Sequence, residues 1–334
     1  MKNRITKKLL CLLLAVVLIS ALLPAAAFAA EEEKKTVYGF YMETIMSFTA
    51  YTDDEEVLND ALMECGRYDR LLSRTQEGSD VWRINHAEGK PVTVSDDTIA
   101  ILEAAQKISE LSDGAFDVTI APASTLWDFT SGAAVLPDAA ELEAASAKVD
   151  YTKLEIDGNT VTLPKGMMID LGAIAKGYTA DKIKEYLVDR GIESALLSFG
   201  GSSIVTIGLK PGDEPWKVGI RDIDDAGGIM LISRNFGGST VTSGIYERCF
   251  DLDGVRYHHL LDPETGWPMQ NELASVTIFS DSSMMGDALS TAAFVLGTEK
   301  GTELIESLDG VEAVFIARDR SVTMTSGAGD YIVE

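Results

Sequence analysis

Three short stretches carry residues whose types and spacing could do chemistry. In Gly286-Asp287-Ala288-Leu289-Ser290-Thr291-Ala292 a carboxylate and a hydroxyl stand four residues apart. On a helix that spacing puts both on one face, within reach of one hard cation. Mg²⁺ commonly takes one or two carboxylates and leaves its other positions to water and substrate phosphates. Such a pair more often lies on a solvated face, but here it opens an otherwise apolar run of small residues. The second stretch is Asp170-Leu-Gly-Ala-Ile-Ala-Lys-Gly-Tyr-Thr-Ala-Asp181. It reads as a buried strand ending at Asp170, a turn at Gly172 and a helix N-terminus, whose free N–H groups suit a phosphate. Lys176, one turn inside, would neutralise charge; the plain alternative is a tight turn and a surface lysine. The third stretch runs from His258 and His259 to Gly266. Asp262-Pro263-Glu264-Thr265-Gly266 is a turn, and His259 beside it is either a structural histidine or a general base working near neutral pH.

Several familiar sites are absent. The chain has no G-x-x-x-x-G-K-[ST], no G-x-G-x-x-G after a strand and no G-x-S-x-G, which removes the P-loop, Rossmann and hydrolase-elbow readings. With only His86, His258 and His259 in the sequence, a multi-histidine zinc site is hard to assemble, so any metal should be a hard ion held by oxygens.

The elements that must position these residues follow from periodicity and punctuation. Lys2, Arg4, Lys7 and Lys8, the apolar run Leu9–Leu23 and Ala27-Phe28-Ala29 have the layout of a secretory signal peptide over residues 1–29, and place the mature protein outside the cytoplasm. Cys11 has no small residue before it, which argues against lipidation there. Residues 30–35 read as a charged tether and 36–334 as one compact unit. Of 28 basic residues the leader removes four and no acidic one, so 24 face 53 acids, a net of −29. A basic surface for nucleic acid is excluded. Cys65 and Cys249 make no disulfide framework; they read as two buried free thiols, with a single bridge the alternative outside the cytoplasm.

Val37–Thr52 reads as one strand. Helices are expected over Glu55–Leu72, from a Ser95 cap to Gly114, over Asp138–Lys148, Ala173–Arg190, Met284–Leu296 and Lys300–Leu308. Asp157-Gly158 centres a hairpin; Met167–Leu171, Ser194–Phe199, Trp216–Ile220, Ile229–Arg234 and Ala274–Ser280 read as strands, and Ala313–Thr325 as a hairpin. The fold class is α+β, with mixed or antiparallel sheets and packed helices.

Taken together and in order, eight motifs make the chain resemble the ApbE family of flavin transferases. They are Met42-Glu-Thr44; Gly114-Ala-Phe-Asp-Val-Thr-Ile-Ala-Pro122 with Leu126-Trp127; Asp170–Tyr178 with Asp181; Phe199-Gly-Gly201; Trp216–Ile220; Thr242-Ser-Gly244; His259-Leu-Leu-Asp-Pro263 with Thr265-Gly266; and Asp287-Ala-Leu-Ser-Thr291. The resemblance implies an α+β fold related to the tunnelling fold, and transfer of FMN from FAD to a Thr or Ser hydroxyl with release of AMP. It implies Mg²⁺ held by Asp287, Thr291 and the Ala173 carbonyl. It implies an FAD site lined by Met42, Ala115, Phe116, Asp117, Asp170, Lys176 and the backbone near Leu261. His259 would be the base, with Asp287 and Lys176 completing the catalytic set. The acceptor would be an exported FMN-binding domain of a membrane redox complex or an extracellular reductase. Three departures stand out: Glu43 replaces the family's Gly, Arg74 and Thr75 replace an aromatic residue near Ser73, and Asp128 follows Trp127 where Gly is expected. Two other functions suit the same residues: an FAD pyrophosphatase using water, or a flavin-binding protein without turnover.

Overall fold

A computed structural model describes residues 33–129, 131 and 133–333; the expected leader and residues 30–32 of the tether lie outside them. Eight strands form one sheet in which every neighbouring pair is antiparallel. Their spatial order is Lys34–Tyr41, Thr44–Tyr51, Ala195–Phe199, Ser203–Ile207, Ser239–Gly244, Leu273–Ser280, Glu312–Ala317 and Val322–Met324. Helices Glu56–Leu72, Ala175–Val188 and Ser283–Glu306 pack on it. Leu273–Ser280 is buried along its whole length. Its Ala274, Val276 and Ile278 join the core beneath the helices. Phe279, on the opposite face, stacks on Tyr331 at 4.7 Å beside a three-stranded sheet of Trp216–Arg221, Ile229–Asn235 and Ile332–Val333. The α+β expectation holds.

Where expectation and structure part, the backbone supplies the reason. The single strand expected over Val37–Thr52 is a hairpin that reverses at Met42 and Glu43, with φ of +51° and +58°. Both central residues of such a turn need positive φ, normally announced by Asn or Gly, and neither is present. Met167–Leu171 is buried but makes one parallel bridge, Ile120 to Met168, and not a strand. The two helices expected over 284–308 are both present, end to end within Ser283–Glu306, and part where Gly297 takes φ +79°.

The Glu43 turn carries a first prediction. A left-handed non-glycine residue costs about 1–2 kcal/mol, a glycine gives some of that back through unfolded-state entropy, and the exposed pair between Glu43 and Arg248 at 3.3 Å contributes about 0.5 kcal/mol at most. Glu43→Gly is therefore expected to stabilise the protein by about 0.5 kcal/mol, read from the urea midpoint. A loss of stability would mean that the Arg248 pair outweighs the turn strain.

Candidate active site

The site is built where two helix N-termini meet. Gly177, in the first turn of Ala175–Val188, lies against the first turn of Ser283–Glu306. A Cβ on Gly177 would overlap the Ser283 carbonyl oxygen and sit 2.8 Å from Asp287 Cβ. This closeness lets the Gly177 N–H donate to Asp287 Oδ2 at 3.0 Å. In a continued helix that N–H would bond the carbonyl of Ala173, four residues back. On either side of it, Ala175 N–H bonds the Leu171 carbonyl and Tyr178 N–H the Ile174 carbonyl, so the Ala173 carbonyl lies outside the helix ladder. Asp287 is 5% exposed and keeps its second oxygen for another partner. One turn on, the Thr291 hydroxyl makes only loose contacts, 3.5 Å to the Asp287 carbonyl and 3.5 Å to Ser243 Oγ. Ser243 is fixed by Ser290 at 2.7 Å.

Asp287 and Thr291 lie one turn apart on one helix, and Asp287 bonds the Gly177 N–H, four residues after Ala173; the three expected donors are a carboxylate, a hydroxyl and a carbonyl. The donors are all oxygens, with one charge, which suits Mg²⁺ that takes its remaining ligands from water and phosphate. Among the described residues no group of three or more His, Cys, Asp or Glu side chains could hold a metal by itself.

Lys176 and Asp170, expected to serve the FAD site, flank the start of the Ala175–Val188 helix. Lys176 Nζ donates to Ser202 Oγ at 2.9 Å, which holds the ammonium over the Gly200-Gly201 turn of the main sheet. Asp170 Oδ1 accepts from the Gly172 N–H at 2.9 Å, fixing the turn into the helix. Its Oδ2 takes Arg74 Nε at 3.2 Å and Ser124 Oγ at 3.2 Å. Arg74, noted above only as a departure, therefore anchors a residue of the expected flavin site.

The Ala115-Phe116-Asp117 stretch divides. Ala115 lines a groove of about 530 Å³ with Leu111–Gly114, Asp262, Pro263, Glu264 and the 295–307 part of the long helix. Phe116 is 2% exposed and packs in the core. Asp117 is turned inward as well: Oδ1 accepts from the Thr119 N–H and hydroxyl, both at 2.7 Å, and Oδ2 from the Tyr151 N–H at 2.9 Å. Burial raises its pKa against those bonds. Neither Phe116 nor Asp117 lines the groove, and Asp117 braces the loop that carries Ala115. Met42 packs partly buried against the cores on both sides of the hairpin turn, and Leu261 is buried among Ala123, Trp127 and Leu142.

His259 Nδ1 donates to the Glu247 carbonyl at 3.0 Å, so Nε2 carries the lone pair. Part of the residue stays open to solvent, yet packing around the ring pushes its pKa down to about 3. Repulsion from Arg248, His258 and Lys176 adds to this, against the pull of the Glu247 carbonyl. A histidine base is competent when neutral, so in the role expected for it His259 would stay competent far into acid. Flavin transfer should therefore hold its kcat/KM from pH 8 down to pH 5, whereas an ordinary imidazole would lose half near pH ~6.5. A half-loss at pH 6 to 7 that disappears in His259→Gln would contradict this reading of the ring.

The ApbE family profile matches residues 42–315. An FAD:protein FMN transferase of Klebsiella pneumoniae is 37% identical over 281 residues, covering 83% of this chain and 87% of the relative. One of Treponema pallidum is 39% identical over 282 residues, covering 78% and 77%. The crystal structure of the ApbE protein of Thermotoga maritima superposes with a TM-score of 0.83 at 29% identity, covering 90% of this chain and 100% of that one. The chain belongs to the ApbE family and is an enzyme of the flavin-transferase class.

Proposed function

We propose that the protein transfers FMN from FAD to a Thr or Ser hydroxyl of an exported acceptor protein, with Mg²⁺ at the Ala173–Asp287–Thr291 corner. The observation that carries the reading is the Gly177 N–H, which turns to Asp287 and leaves the Ala173 carbonyl outside its helix. Bound there, Mg²⁺ would neutralise pyrophosphate charge and act as a Lewis acid.

The chain's own groups do the rest. Lys176 and the positive end of its helix bind and orient the diphosphate. His259 Nε2 takes the proton of the acceptor hydroxyl as its oxygen bonds to the flavin-side phosphorus. The pyrophosphate P–O bond breaks, AMP leaves with that oxygen, and FMN stays on the acceptor as a phosphodiester. Phosphoryl transfer of this kind needs positioning and charge neutralisation more than covalent help from the protein. Export rests on the basic, apolar and small-residue segments of residues 1–29, and an exported FMN-binding domain is the acceptor class that location allows.

The test follows AMP release from FAD and Mg²⁺ with no acceptor, with an exported FMN-binding domain, and with that domain's target hydroxyl replaced by Ala. Transfer predicts AMP in amounts matching labelled acceptor, and only with the hydroxyl present. Equal AMP in all three arms would make water the acceptor and the protein a pyrophosphatase.

A further inference from the structure

The two helices at the metal corner exchange carboxylates. Asp287, on the Ser283 helix, accepts from Gly177 at the start of the Ala175 helix, at 3.0 Å. Asp181, on the Ala175 helix, returns the favour at the start of the Ser283 helix. Its Oδ1 accepts from the Ser283 N–H at 2.7 Å, and its Oδ2 from the Met284 N–H at 3.0 Å and the Ser282 hydroxyl at 2.7 Å. The Ser282 hydroxyl in turn caps its own helix through Met285 N–H. Burial raises the pKa of Asp181, opposed in part by these three bonds and by the nearby Lys184 ammonium.

Electrostatics give this arrangement a consequence. Each helix N-terminus carries about half a positive charge, and here two of them converge with Lys176 close by. That suits a diphosphate but opposes a cation. Asp287 offsets one terminus, and its remaining oxygen is the expected metal ligand. Asp181 offsets the other, through bonds to Ser282, Ser283 and Met284 and none to Asp287.

We propose that Asp181 is a positioning residue for the metal: by neutralising the N-terminus of the Ser283 helix it sets Mg²⁺ affinity at Asp287 without touching the ion. This rests on the metal reading above. It predicts opposite effects on cation and anion, which a merely structural residue would not produce. Asp181→Asn removes the charge and keeps an oxygen for one of the two N–H groups, whereas Asp181→Glu keeps both oxygens and the charge.

The experiment is calorimetric titration at 5 °C without acceptor: FAD into metal-free protein, then Mg²⁺ into the FAD-loaded protein, for wild type, Asp181→Asn and Asp181→Glu. The expected result for Asp181→Asn is Mg²⁺ binding weakened about tenfold, in line with charge effects of up to ~2 kcal/mol at partly buried helix ends, and FAD binding equal or tighter. Asp181→Glu, which keeps the charge, should recover most of the Mg²⁺ affinity. Unchanged Mg²⁺ binding in Asp181→Asn, or parallel weakening of FAD and Mg²⁺ in both variants, would overturn the proposal. Absence of Mg²⁺ binding in the wild type would overturn the metal reading itself and this inference with it.

Discussion

Asp287→Asn is expected to lower the rate of flavin transfer at saturating FAD and Mg²⁺ by about a thousandfold while leaving the fold intact. The amide keeps an oxygen for the Gly177 N–H, so the packing of the two helices survives. What goes is the only carboxylate among the three oxygens placed for the cation. Lewis-acid stabilisation of a transferring phosphoryl group is worth several kcal/mol, and three decades correspond to about 4 kcal/mol. Single-turnover labelling of the acceptor measures the loss, and the thermal midpoint checks the fold. A variant within tenfold of wild type would mean that the cation, if used, is held elsewhere.

The largest stability effect is expected at Gly177. In an exposed helix, Gly→Ala normally stabilises by about 1 kcal/mol. Here the added methyl would overlap the Ser283 carbonyl oxygen and press on Asp287 Cβ, both parts of a buried helix–helix contact whose backbones cannot swing aside. Overpacking of this kind costs about 1–3 kcal/mol and sometimes more, so Gly177→Ala should lower the unfolding free energy by about 3 kcal/mol in a urea titration. Whatever folds should need more Mg²⁺, because separating the helices pulls Asp287 from the Ala173 carbonyl. A stabilised variant would show that the contact is looser than the structure has it.

What could be read in advance follows a physical boundary. The helix bearing Asp287 and Thr291 was legible because a helix fixes side-chain direction within one turn, and its cap Ser282 does bond Met285 N–H. The helix expected at Ser95 is likewise capped as its sequence predicts, with Ser95 accepting from Thr98 N–H. Central strands were harder. Ser203–Ile207 and Ser239–Gly244 lie in the middle of the main sheet, yet the glycines and serines beside them resemble loop sequence, and their edges are satisfied only by partners far along the chain.

The site followed the same rule. Asp170, Lys176, Asp287 and Thr291 stood out through local spacing. The anchoring of Asp170 by Arg74, the grip of Glu247 on His259 and the caps exchanged by Asp181 and Asp287 each join residues that no short motif links. Asp117 shows the converse. A motif marks the residue, but only the Tyr151 N–H, 34 positions away, reveals that its carboxylate faces inward.

The most direct test of flavin transfer at this site is the intact mass of an exported FMN-binding domain after incubation with the mature protein, FAD and Mg²⁺, with Asp287→Asn in parallel. The account predicts that the wild type adds one FMN, less water, to the domain, that the addition vanishes when the target Thr or Ser is replaced by Ala, and that Asp287→Asn leaves the domain unmodified over the same time. Equal modification by wild type and Asp287→Asn, or modification that survives loss of the hydroxyl, would contradict it.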